Sequence, residues 1–149
     1  MTRIDFYVLA DSSVDSRLEF ACRLTQKAQQ MGSRVYIAVD DKPQAQQLDQ
    51  LLWTFRPESF VPHDCEGEIA LQTPVLVGFG EDCSDHHDLL INLKSDIPDY
   101  FSRFERLVEI VCQQEQVLTQ TREHFAFYRE RGYPIQSHDM RKRAAGGAG

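Results

Sequence analysis

The sequence predicts an α/β protein: a mostly parallel sheet with helices on both faces, Rossmann-like but without a nucleotide-binding loop. Three observations lead there. Short, largely apolar runs recur along the chain, IDFYVL at 4–9, VYIAV at 35–39 and LLINL at 89–93, and strands apolar along their whole length are those covered on both faces. Strand-like and helix-like stretches then alternate, and parallel neighbours require such crossovers. Finally, the loop after the first run reads Ala10-Asp11-Ser12-Ser13. It has no glycine that would let backbone amides approach a phosphate.

Each element follows from its residues. Ile4 to Leu9 is the first strand, closed by the turn-forming Asp11-Ser12-Ser13. Leu18, Ala21, Cys22, Thr25 and Ala28 share one face of a helix over 16–31, and Gly32 stops it. Val35 to Val39 is the second strand, after which Asp40-Asp41 and Pro43 supply a cap and a first-turn proline for a helix reaching about Trp53. Ser59 to Val61 is expected as a short edge strand ended by Pro62, and 64–73 as an acidic connector. Val75 to Val77 and Leu89 to Leu93 are the next strands, with a polar loop between them. Tyr100 to Arg106 fits a short helix, Leu107 to Val111 the last strand, and Gln114 to Arg131 a long helix closed by Gly132 and Pro134. One domain over 1–138 results, with 139–149, which holds RKRAAGGAG, as a flexible tail.

Composition narrows the function. At 149 residues and 42% hydrophobic content the chain can close one core. No apolar run nears the ~20 residues of a membrane span, and Met1-Thr2-Arg3-Ile4-Asp5 lacks a signal peptide's apolar centre. No membrane association is therefore expected, and the protein should be cytoplasmic. A net charge of −7 argues against tight direct binding to DNA. That charge is uneven, since residues 1–121 carry ten Lys or Arg against twenty Asp or Glu, and residues 122–149 carry six against three. A local cationic site near the C-terminus fits this distribution. Cys22, Cys65, Cys83 and Cys112 lie far apart, as reduced and mostly buried thiols do.

The catalytic inventory is empty. Gly78-Phe79-Gly80 is a lone Gly-x-Gly, better explained as a tight turn than as a dinucleotide loop. Cys83, His86, His87 and Asp88 are metal-capable, yet a second ligand pair is lacking unless the fold brings His63 and Cys65 to them. There is no Gly-x-Ser-x-Gly elbow. No catalytic residue, cofactor or metal is assigned. The rival from another class is a nucleotide- or metal-dependent enzyme on the same fold, because fold does not determine chemistry.

Residues 48–63 read LDQLLWTFRPESFVPH. Leu48, Leu51 and Leu52 suit the core and Trp53 can cap it, but Trp53, Phe55 and Phe60 within eight residues, in a stretch interrupted by Pro57 and Pro62, are hard to bury together. An exposed apolar patch for a protein partner is the alternative. LDQLLW, ESFVPH, DHHDLLINL and YRERGYP, in this order over residues 2–138, resemble the chi subunit family of the bacterial DNA polymerase III holoenzyme. That resemblance implies a non-catalytic adaptor with a Rossmann-like fold, in a one-to-one complex with the psi subunit on the clamp-loader side. It places the psi-facing surface at Trp53, Pro57, Phe60 and Val61, part of which a helicase-like alternative partner can use.

The resemblance further implies capture of the acidic C-terminal tail of single-stranded-DNA-binding protein, which ends in Pro-Phe. Such a peptide needs cations and an apolar notch. Arg122, Phe125 and Arg129 fall at i, i+3 and i+7 of the last helix, with Tyr128 and Tyr133 near. The competing reading makes both arginines solvating groups and Phe125 or Phe127 core. The resemblance favours the site, although Ala126 and Leu118 stand where relatives can carry Lys, so the cationic pocket is either thinner here or completed by Arg131, Lys142 or other residues.

Overall fold

The structure, a computed structural model, describes residues 1–54, 64–65, 75–80 and 82–141. In chain order β1 (Arg3–Val8) leads through α1 (Val14–Gln30) to β2 (Val35–Ala38) and α2 (Lys42–Thr54). β3 (Asp64–Cys65), β4 (Val75–Gly78) and β5 (Leu89–Asn92) follow. A short 3-10 helix (Asp99–Arg103), β6 (Arg106–Val111), α3 (Glu115–Glu130) and β7 (Ile135–Asp139) complete the chain. The strands pair in parallel throughout, in the order β3-β4-β2-β5-β6-β1-β7.

Local chemistry sets the helix ends. Ser13 caps α1 by accepting the Asp15 N–H, and Asp41 accepts the Gln44 N–H at the start of α2. Gly32 and Gly132 take positive φ where α1 and α3 end, a conformation that costs glycine least. Sheet pleating then divides the core. Val35, Ile37, Val75, Val77, Ile91, Val108 and Ile110 meet Leu18, Ala21 and Cys22 of α1 and Leu48 and Leu52 of α2. On the other face Ile4, Phe6, Tyr36, Leu90 and Leu107 meet Tyr100, Phe101 and Phe104 around the 3-10 helix and Val117 and Tyr128 of α3. Cys22, Cys83 and Cys112 are buried free thiols, and burial pushes the Cys22 thiol up to about 12.

Three sequence expectations need correction. The last strand is β7, not β6: the polar pentad Ile-Gln-Ser-His-Asp pairs with β1 from Ile4↔Ile135 to Val8↔Asp139. The flexible tail therefore does not begin at 139, because Asp139 lies in β7 and Met140 donates its N–H to the Val8 carbonyl; residues 142–149 fall outside the described residues. Asp64 and Cys65, expected in a connector, pair with Leu76 and Val77 of β4, while the edge strand expected at Ser59 to Val61 lies outside the described residues.

Gly78 has a packing explanation. A Cβ there would overlap the ring and hydroxyl of the fully buried Tyr36. The glycine serves close approach within the core. Gly78→Ala should destabilise the protein by about 2 kcal/mol, the usual size of core overpacking, read as a lower urea midpoint at unchanged slope; an unaltered midpoint would refute this account.

Candidate functional site

Two of the cavities among the described residues bear on the sequence expectations, and they differ sharply. Neighbouring strands β2 and β5 send their connections to opposite faces, α2 on one and the 3-10 helix on the other. Such a switch point is where doubly wound proteins hold ligands. Here Asp40, just past β2, spans it: its two carboxylate oxygens accept the backbone N–H (2.9 Å) and hydroxyl (2.8 Å) of Ser95 beyond β5. The adjoining cavity of ≈ 460 Å³ is lined by Asp96 and Asp99 against the single cation Lys94, a balance that repels phosphate. Near it, Cys83 and His86 are buried and His87 is exposed. No group of three His, Cys, Asp or Glu able to hold a metal occurs among the described residues.

The second place is a cleft between α3 and the β6-β1-β7 end of the sheet. Phe6, Val8, Val111, Leu118 and Phe125 make it apolar, Thr121, Arg122 and Ser137 complete its lining, and its volume is ≈ 320 Å³. Phe6 and Val8 reach it because alternate residues of β1 face α3. Phe125 is half-buried, its ring 5.5 Å from that of Phe6. Arg122 is exposed at the rim and, among the described residues, has no ion pair. Arg129 is likewise exposed, two turns along the same stripe of α3. Sequence reasoning thus brought Arg122 and Phe125 together, and it missed Phe6, Val8, Val111 and Ser137, which only pairing in the sheet places there.

Tyr128 is a correction. It is fully buried and donates its hydroxyl to Glu109 Oε2 at 2.8 Å, so it anchors α3 from beneath and does not line the cleft. Tyr133 packs on Phe101 at 5.2 Å, and Arg131 stacks over Phe127 at 3.7 Å. Neither contributes to the cleft's lining, which leaves Leu118 as an apolar wall and Arg122 as the cation at the rim. Lys142 lies outside the described residues, as do Pro57, Phe60 and Val61. Trp53 stands near the C-terminal end of α2.

A buried network positions the helix that carries the cleft. Glu109 accepts from Asn92 Nδ2 (3.0 Å), Tyr128 and His124 Nδ1 (3.1 Å), while His124 Nε2 lies 2.8 Å from the Ser95 carbonyl. Both imidazole nitrogens face acceptors, the arrangement of a protonated ring. Burial works against that charge, but the Glu109 carboxylate outweighs it and holds the His124 pKa above its ordinary value. A comparable anchor sits under β7. Burial would raise the pKa of Asp5, yet hydrogen bonds from Arg106 (2.6 Å) and His138 (3.0 Å) win and leave it below the usual carboxylate value.

The whole chain can be set beside known proteins. Residues 1–136 match the family described as DNA polymerase III chi subunit, HolC. The chain belongs to this family. DNA polymerase III subunit chi of Pseudomonas aeruginosa is 44% identical over 94% of this chain and 98% of that protein. The chi subunits of Haemophilus influenzae and Escherichia coli are 31% and 32% identical over 91% and 92% of it. As a chi-family member the chain is an accessory subunit of the replicative polymerase, with partners in the polymerase complex. Among solved structures, "Mss116p DEAD-box helicase domain 2 bound to an RNA duplex" superposes with a TM-score of 0.60 over 91% of this chain and 62% of that one, at 14% identity. That likeness concerns the fold alone. No helix among the described residues is long and apolar enough to cross a membrane.

The His124–Glu109 pair of this chi-family chain is a titratable lock with a definite sign. Because the folded-state pKa of His124 is raised, its stabilisation is fully present below about 6.5, the unfolded value, and is lost as pH rises through the folded value. Urea unfolding across pH 6 to 9 should show stability falling as that proton leaves. Glu109→Gln, which removes the counter-charge of a buried pair, should cost about 3 kcal/mol at neutral pH and flatten the dependence. Stability that climbs over this range in the parent chain would contradict the assignment.

Proposed function

We propose that the chain is a non-catalytic adaptor in the cytoplasm, binding the psi subunit on the clamp-loader side with one surface and the acidic C-terminal tail of single-stranded-DNA-binding protein with another. The observation that carries the second half is an exposed arginine, Arg122, without an ion pair among the described residues, at the rim of an apolar cleft floored by Phe6, Val8 and Phe125. An acidic peptide ending in Pro-Phe has the complementary features. Its carboxylates meet guanidinium groups, and its ring leaves water, each interaction supplying roughly 1.5–3 kcal/mol. Arg122 and Phe125 touch the peptide, Arg129 extends the cationic stripe, and Tyr128 holds the helix in place from the core side.

The psi surface rests on family membership and on residues 48–63. Leu48 and Leu52 belong to the core, so Trp53 with Pro57, Phe60 and Val61 supplies the patch for psi, part of which a helicase-like alternative partner would also use. Nothing in this division of labour requires chemistry at the switch point.

Arg122→Glu should weaken the tail peptide by roughly a hundredfold in a fluorescence titration, since an attraction becomes a repulsion in a partly desolvated setting. Unchanged affinity would remove α3 from the site. Affinity should also fall as salt rises, the rim being screened over about 8 Å at physiological ionic strength. Trp53→Arg should prevent co-purification with psi while leaving the circular dichroism spectrum unchanged; a stable complex from that variant would refute the psi assignment.

A further inference from the structure

β7 is the outermost strand of the sheet and pairs only with β1 among the described residues. Its two edges are not equivalent. Ile4 donates its N–H to the Pro134 carbonyl and Met140 donates to the Val8 carbonyl, so the even-numbered residues turn their backbone groups towards β1. In a strand successive residues alternate. The N–H and C=O groups of Ile135 and Ser137 therefore point outward, and neither residue has a hydrogen-bond partner on that side among the described residues. An open edge of this kind is a template for an extended chain.

The edge also lies beside the cleft. Ser137, whose backbone faces outward, contributes to the cleft lining. On α3, Leu118, Arg122, Phe125 and Arg129 share one stripe at 100° per residue, and Leu118, Arg122 and Phe125 line the cleft with Ser137. Phe127, which packs on Phe101, and Arg131, which stacks on Phe127, occupy the opposite flank. The stripe with Arg122 and Arg129 thus lies on the β7 side, and both guanidiniums are exposed. Asp139, the one carboxylate of β7 itself, is held by Arg141 at 3.0 Å. Cations above, outward amides below and an apolar notch between them specify one occupant: an extended acidic peptide with a terminal ring.

We infer that the acidic peptide binds as an added strand, its backbone paired with the outer edge of β7 at Ile135 and Ser137, its carboxylates under Arg122 and Arg129, and its ring in the cleft. This rests on the cleft reading above and adds the mode of binding. Backbone pairing gives affinity that is independent of the intervening acidic residues, while the cleft and the arginines select for charge and for the ring.

The test uses the full chain and a synthetic acidic peptide ending in Pro-Phe. Ser137→Pro removes an outward N–H and spares the β1 ladder, because proline is tolerated where an edge N–H faces solvent. It should weaken the peptide roughly tenfold, the worth of a hydrogen bond or two, with the melting temperature retained. Ser137→Ala keeps the N–H and should bind as the parent does. In the parent chain, hydrogen exchange at Ile135 and Ser137 should slow under saturating peptide, a measurement that holds even if Ser137→Pro fails to fold. Unslowed exchange at both amides, or parent-like affinity in a folded Ser137→Pro, would overturn strand addition. If Arg122→Glu still loses binding then, the cleft stands and only the pairing falls; if it binds normally, the cleft reading falls with it. A concentration-dependent dimer that Ser137→Pro abolishes would assign the edge to a second copy and equally overturn the proposal.

Discussion

Glu109 carries a negative charge inside a small core, and the rest of the molecule is arranged so that this charge is never alone. Taking a carboxylate out of water costs several kcal/mol even after relaxation. Three donors from three residues answer it: Asn92 of β5, and His124 and Tyr128 of α3. Hydrogen bonds to charged groups contribute roughly 1.5–3 kcal/mol each, so the set offsets the cost, whereas any single one would not. The second nitrogen of His124 extends the connection to Ser95, and Ser95 in turn holds Asp40. One buried charge therefore joins β6 to α3, and through the loop after β5 to the end of β2.

This constraint orients the α3 side of the cleft. With His124 and Tyr128 held inward on Glu109, helical geometry sends Leu118, Arg122, Phe125 and Arg129 to one flank of α3 and Phe127 to the other. The opposing wall has its own anchor. Asp5 draws Arg106 and His138 onto one side of β1, and Tyr7 stacks on His138 with centroids 4.4 Å apart and planes 12° apart. Through those contacts a pentad with little strand propensity is held as β7. Each wall of the cleft is thus tied to a buried carboxylate, Glu109 for the helix and Asp5 for the strand. The switch-point crevice, where an enzyme of this architecture would work, is instead crossed by an Asp40–Ser95 bridge.

Legibility followed the strength of local signals. The buried strands were readable because apolar residues at consecutive positions have few alternatives, and α1 and α3 because their apolar spacing ends at glycines that adopt positive φ. The cationic stripe was readable as i, i+3, i+7. β7 was not, because Ile135-Gln136-Ser137-His138-Asp139 is polar and its strand conformation comes from the β1 ladder and Asp5. Tyr128 was misplaced for a related reason: an aromatic next to arginines resembles a surface ring until its hydroxyl is seen on a buried carboxylate. The glycine of Gly78-Phe79-Gly80 likewise gained its meaning from Tyr36, a residue far away in sequence.

By itself the sequence determined the alternation of strands and helices, a mostly parallel sheet, the family and the stripe that puts Arg122 and Phe125 on one face of α3, since each of these depends on residues close together or on their order along the chain. Tertiary structure alone decided that Phe6, Val8 and Ser137 join them, that Tyr128 does not, and that β7 leaves an open edge beside the cleft. Those outcomes depend on which strands become neighbours and on how buried charges find partners. Both are settled by contacts between different elements of the fold, from Glu109 with Tyr128 to Asp5 with Arg106 and His138, which local pattern does not encode.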